Sequence, residues 1–139
     1  MSLLRVFPAL IVPIAIYNAV IAAAGLPSDA DRLLAQPIAR IPMPTTTAVL
    51  QIDSGDLILL AGLVALFFEV VASSRTSNDV LFKHVLNMLL FVVCMVEFLL
   101  FRPFATSTFF LLTALALMAT IGGFVITTVA ARKDIGFAQ

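Results

Sequence analysis

The 139-residue sequence predicts an all-α integral membrane protein: a four-helix bundle, up-down, with one long extracytoplasmic loop. Three observations carry that reading. Hydrophobic residues make up 62% of the chain and charged residues 12%, against roughly 45–50% and 25% in water-soluble domains. Mean hydropathy is +1.14. The apolar residues fall in four runs, each near the ~20 residues that a spanning helix needs. Only short polar or Pro-containing turns separate the last three runs, which makes those helices antiparallel neighbours.

The first span is placed at Leu4–Gly25. Pro8 fits its first turns, and Pro13 is expected to kink it by freeing a carbonyl near Ala9. Ala15, Ala19 and Ala23 recur every four positions and form a smooth ridge for close packing. Gly25 and Pro27 stop the helix. A cleavable signal peptide would explain the positive start and the Ala22-Ala23-Ala24 end, but its apolar core is usually only about 7–15 residues long. We expect a retained helix.

Residues 26–54 are the only long connection, rich in Pro and Thr. Ser28 with Asp31 resembles a capping pair for a short helix over Asp29–Gln36, stopped by Pro37. Thr46–Ile52 is β-prone, but no partner strand is evident, so it is expected to be extended. A connection this long is either a cap over one end of the bundle or a docking surface.

The second span covers Gly55–Ser73, capped by Asp53 or Ser54, with Asp56 in its first turn where the helix dipole favours an anion. Ala61 and Ala65 repeat the four-residue small spacing, and Glu69 is its one buried-looking charge. The third span, Asp79–Phe101, follows an N-cap at Ser77 or Asn78. It carries Lys83, His84 and Asn87 near its start, then Cys94 and Glu97. Arg102-Pro103 turns the chain into the fourth span, Ala105–Ala131, which at ~1.5 Å per residue is roughly 40 Å long and must tilt or protrude. Ala119 and Gly123 give it a small-xxx-small pair.

Two polar sets could carry chemistry. Counted outward from the turn near position 76, Glu69 and His84 lie at the same depth, with Lys83 beside them and Asn87 one turn deeper. That spacing permits a Glu–His or Glu–Lys pair between helices, either a structural clasp or a proton or ion site, because an unpaired charge in lipid costs several kcal/mol. Glu97 lies near the outer end of the third span. Its expected partners are Arg102, five residues on, or Asn18 and Tyr17 of the first span.

Much else is excluded. One cysteine and one histidine allow neither an intrachain disulfide nor a metal-ligand cluster. Gly-rich phosphate loops, HExxH and GxSxG are missing, and no basic stripe supports nucleic-acid binding. No cofactor is predicted, although periodicity is blind to a lipid, quinone or pigment held between helices. With both termini cytoplasmic, the inner side holds Arg5, Arg75, Lys83, Arg132 and Lys133 and the outer side Arg32, Arg40 and Arg102, which fits the positive-inside rule and a bacterial inner membrane. The expectation is a non-enzyme that contacts lipid and associates with itself or with other membrane subunits: an accessory, assembly or structural component. The alternative is a small proton-coupled transporter or channel using Glu69, His84 and Glu97.

Overall fold

The computed structural model describes residues 7–73 and 78–136. The predicted start at Leu4, Arg5, and the turn residues Arg75 and Ser77 lie outside them. Among the described residues, three helices are long and apolar enough to cross a membrane, over Ser54–Ala72, Phe82–Leu100 and Ser107–Val125. They belong to α3 (Ser54–Ser73), α4 (Asn78–Leu100) and α5 (Ser107–Gly136). Their outward faces are apolar: Leu60, Leu63 and Phe67 on α3, Val85, Leu89 and Val93 on α4, and Phe110, Met118 and Ile121 on α5 are all exposed. Such outward faces are consistent with a multi-pass membrane protein in contact with lipid.

Before them come α1 (Ile11–Ala23), α2 (Ala30–Leu34), β1 (Pro37–Pro42) and β2 (Val49–Asp53). The 13 residues of α1 are about 20 Å of helix at ~1.5 Å each, short of a ~30 Å hydrocarbon core. Pro13 therefore sits in the first turn of α1, where it has no intrahelical donor to lose. The kink expected there is not needed, because the Ala9 carbonyl accepts from Val12 N–H at 3.2 Å. At the other end the chain leaves α1 through Gly25 at φ 76° and Leu26 at φ 54°. Their amides return to Ala22 O at 3.0 Å and Ile21 O at 3.0 Å, closing the last turn as a Schellman motif.

The long connection is more ordered than the sequence implied. Asp29, not Ser28, is the N-cap of α2, with no side-chain cap bond, and Asp29 pairs instead with Arg32 at 2.8 Å. Ala30 and Leu34 turn into the core, so α2 lies over one end of the helices. The β-prone stretch does find a partner: β1 and β2 pair antiparallel, Arg40 opposite Gln51 and Pro42 opposite Val49, with an irregularity between Pro37 and Ala39. Each strand of a two-stranded hairpin has one open edge, which lets β1 carry Pro37 and Pro42. The hairpin is mostly exposed.

The α3 start is fixed by a reciprocal cap. Asp56 N–H donates to Asp53 Oδ1 at 2.9 Å, and Asp53 N–H donates to Asp56 Oδ2 at 3.1 Å. Ser54 Oγ donates to Leu34 O at 2.8 Å and ties the end of α2 to it.

α5 is the central helix. It packs against both α3 and α4, while α1 packs mainly on α3. Small residues allow this: Gly62 of α3 faces Leu112 and Leu115 of α5, and Ala116 and Ala119 are buried. Thr113 and Thr120 of α5 bond back to Phe109 O and Ala116 O at 2.9 Å each, hiding their hydroxyls within the helix.

Candidate functional site: a buried carboxylate clasp

Glu69 is only 1% exposed on a helix otherwise apolar through its last three turns. A bare carboxylate there would be prohibitive. Three donors converge on it. Asn87 Nδ2 donates to Oε1 at 2.8 Å, Lys83 Nζ approaches the same oxygen at 3.3 Å, and the backbone N–H of Ala9 donates to Oε2 at 2.8 Å. Lys83 and Asn87 are four residues apart, so they present one face of α4 to α3. Ala9 precedes Leu10, the N-cap of α1, and its amide donates to Glu69. Glu69 thus ties the entry to α1 to a neighbouring helix and sets its carboxylate near the positive end of the α1 dipole. One side chain joins α1, α3 and α4.

Of the partners the spacing allowed, Lys83 is taken and His84 is not. One residue further along α4 turns the side chain by about 100°, from α3 toward α5. There the His84 ring lies against Gly123, leaving no room for a β-carbon at that position. His84 Nδ1 and Nε2 and Asn87 Oδ1 are shielded and have no hydrogen-bond partner among the described residues. Gly123 and Ala119 therefore serve internal packing, as does the buried Ala65; Ala61 is half-buried. Ala15, Ala19 and Ala23 all point outward and are exposed.

The second predicted set separates. Glu97 is half-buried and takes a long hydrogen bond of 3.5 Å from Asn18 Nδ2, which also donates to Ile14 O at 3.1 Å within α1. No ion pair joins Glu97 to Arg102, which is exposed and belongs to the short 3-10 turn Arg102–Phe104. Tyr17 serves a different purpose. It is fully buried, with its hydroxyl 2.6 Å from Thr106 Oγ1 and 3.2 Å from Pro103 O. Thr106 Oγ1 accepts from Phe109 N–H at 3.1 Å, so it caps α5. A consistent chain follows: Phe109 N–H donates to Thr106, Thr106 to Tyr17, and Tyr17 to Pro103 O. The Tyr17 ring packs against Phe104 and Phe109 at centroid distances of 5.8 and 4.8 Å. Cys94 is buried and free.

The sequence reading missed Ala9, because a backbone amide has no side-chain signature. It also missed Thr106, although a Thr three residues before Phe109 at a helix start is a readable cap.

Among the described residues no group of three or more His, Cys, Asp or Glu could hold a metal ion. What the arrangement offers chemically is a carboxylate held by an ammonium and two amide donors, near an imidazole with no hydrogen-bond partner among the described residues. No known protein family, curated protein or solved structure shows significant similarity to the chain. Its class is therefore defined by its own geometry: a mostly helical chain with three long apolar helices, consistent with a multi-pass membrane protein.

Proposed function

We propose that this chain is a non-catalytic accessory, assembly or structural subunit of a membrane complex or homo-oligomer. In this reading α1 with the residues before it is the fourth crossing, the helices run up-down, both termini are cytoplasmic, and α2 with the hairpin faces the periplasm of a bacterial cell.

One contrast supports it. Gly62 of α3 and Ala116, Ala119 and Gly123 of α5 pack inside the chain, while Ala15, Ala19 and Ala23 of α1 form an exposed stripe that no described residue covers. Helices in lipid associate through such close-packing stripes, because apolar surface alone gives no drive there. Meanwhile the strongest candidate for transport chemistry, Glu69, is held by a backbone amide, an amide side chain and an ammonium.

The test is the native mass of the protein extracted from its own membrane in mild detergent. The expected result is an assembly well above the 14.9 kDa chain, lost in Ala19→Leu with the monomer's helicity intact. A clean monomer would overturn the proposal.

The His84 ring, which has no hydrogen-bond partner among the described residues, favours a second reading, a proton-coupled transporter or channel using Glu69, His84 and Glu97. It requires that Glu69→Gln or Glu97→Gln abolish flux in proteoliposomes. Unchanged flux in both removes it.

A further inference from the structure

A cavity of about 570 Å³ lies between residues 7–13 and α3, within the size range of small-molecule sites, about 300–1,000 Å³. Ala61, Val64, Ala65 and Phe68 form its floor, one stripe of α3 at helical spacing, and Val12 forms part of its wall. From Ala61 to Phe68 is seven residues, or about 10 Å of floor. Among the described residues Lys83 is the one charged residue that lines it, and it sits beside the Phe68 end, since Glu69 holds its ammonium.

The cavity is a lateral groove, not an internal chamber. Val12, Val64 and Phe68 are 57%, 49% and 60% exposed, so its rim is continuous with the apolar surface of the helices. Lys83 stands at the start of the apolar stretch Phe82–Leu100, where a helix that crosses a bilayer would meet the border between head groups and hydrocarbon. The groove thus runs from that border into the apolar zone.

We propose that this groove holds one glycerophospholipid, with an acyl chain along Ala61–Phe68 and a head-group oxygen, ester or phosphate, on Lys83. The chemistry is complementary at both ends. Small Ala61 and Ala65 make room for a chain, and large Val64 and Phe68 flank it. An ammonium has three N–H donors, and the Glu69 oxygen at 3.3 Å engages one direction only. Because Glu69 already balances the charge, recognition rests on acceptor oxygens and not on net head-group charge. This site is independent of whether the chain works as a subunit.

The experiment is native mass spectrometry of the full chain from mild detergent. Wild type is expected to retain one phospholipid. Ala61→Phe fills the groove while leaving Lys83 and Glu69 in place, and is expected to cut the retained fraction about tenfold or more. Val93→Phe, which puts the same ring on the exposed face of α4, is expected to retain it. Add-back to delipidated protein then compares dioleoyl phosphatidylethanolamine with 1-octadecene, a chain without head-group oxygens. The phospholipid is expected to bind at least about tenfold more tightly. Equal retention in wild type and Ala61→Phe overturns the site. Equal binding of both probes overturns the contact with Lys83.

Discussion

Glu69→Gln should be the most informative single change. Gln keeps the shape of Glu69 and one acceptor oxygen, which can stay on the Ala9 amide at 2.8 Å. Its new NH₂ then faces Asn87, and Asn87 can flip to offer Oδ1, an atom now without a partner. Two of the three contacts are therefore repairable, and the third is not. Lys83, with only 8% of its side chain exposed, loses its counter-charge 3.3 Å away. Removing one partner of a buried ion pair costs about 3–5 kcal/mol. Snorkelling of the lysine stem toward the interface lowers that, as does the modest worth of interhelical hydrogen bonds in lipid, ~0.6 kcal/mol each. We expect about 2–4 kcal/mol for Glu69→Gln. Lys83→Met should cost less, about 1–2 kcal/mol, because Glu69 keeps its hydrogen bonds from Ala9 and Asn87. The double variant should be more stable than Glu69→Gln alone, since it removes the orphaned cation. The assay is unfolding by sodium dodecyl sulfate titrated into mild detergent, followed by far-ultraviolet circular dichroism. If Glu69→Gln unfolds with wild type, or if the two single costs simply add, the clasp is not what holds α1, α3 and α4 together.

Two further predictions use adjacent and buried positions. Gly123→Ala places a methyl on the His84 ring and should destabilise by about 1–3 kcal/mol, whereas Gly122→Ala meets nothing within 4 Å and should stabilise by up to ~1 kcal/mol through helix propensity; the same titration of both variants checks the pair, and His84→Ala should relieve the first. Tyr17→Phe removes the hydroxyl between Thr106 and Pro103 while keeping the ring stack, and should cost about 1–2 kcal/mol in the same assay.

The long helices were legible because a membrane span is a composition before it is a fold. A run of about 20 apolar residues announces itself, and Asp53 marks the start of one such run to within a residue of the observed start of α3. The start of α1 was not legible, since Pro8 and Pro13 are compatible with either a long kinked helix or a short one entered through a proline turn. β1 was hidden by Pro37 and Pro42, which depress strand propensity at the positions that an unpaired edge tolerates. In the site, sequence spacing gave depth but not rotation. Lys83 and His84 are one residue apart, so which of them faces Glu69 depends on how α4 is turned. That in turn depends on α5 lying between α3 and α4, a tertiary fact that no local pattern contains. The Ala9 amide was invisible for a simpler reason: every residue but proline has one.

These placements bear on why α1 can be a short helix and still a fixed one. Held only by apolar contact, 13 residues in lipid would have little to orient them, because hydrocarbon solvates their outer face as well as protein does. Polar groups fix them instead, chiefly at two points eight residues apart, with the long Asn18–Glu97 bond beside the second. Glu69 takes the amide of Ala9 before the helix begins, and the Tyr17 hydroxyl reaches the chain entering α5 at Pro103 and Thr106. At about 12 Å of separation along the axis, two such points set both the tilt and the rotation of α1. Rotation is what decides which residues face out, and the face left outward is the one carrying Ala15, Ala19 and Ala23. Breaking either point would loosen that face before it unfolded the bundle, since α3 and α4 both pack on α5 without α1. A stripe of alanines associates with another helix only where two backbones can approach closely along its whole length. Glu69→Gln and Tyr17→Phe should therefore weaken any assembly through α1 at detergent concentrations where the three long helices remain folded.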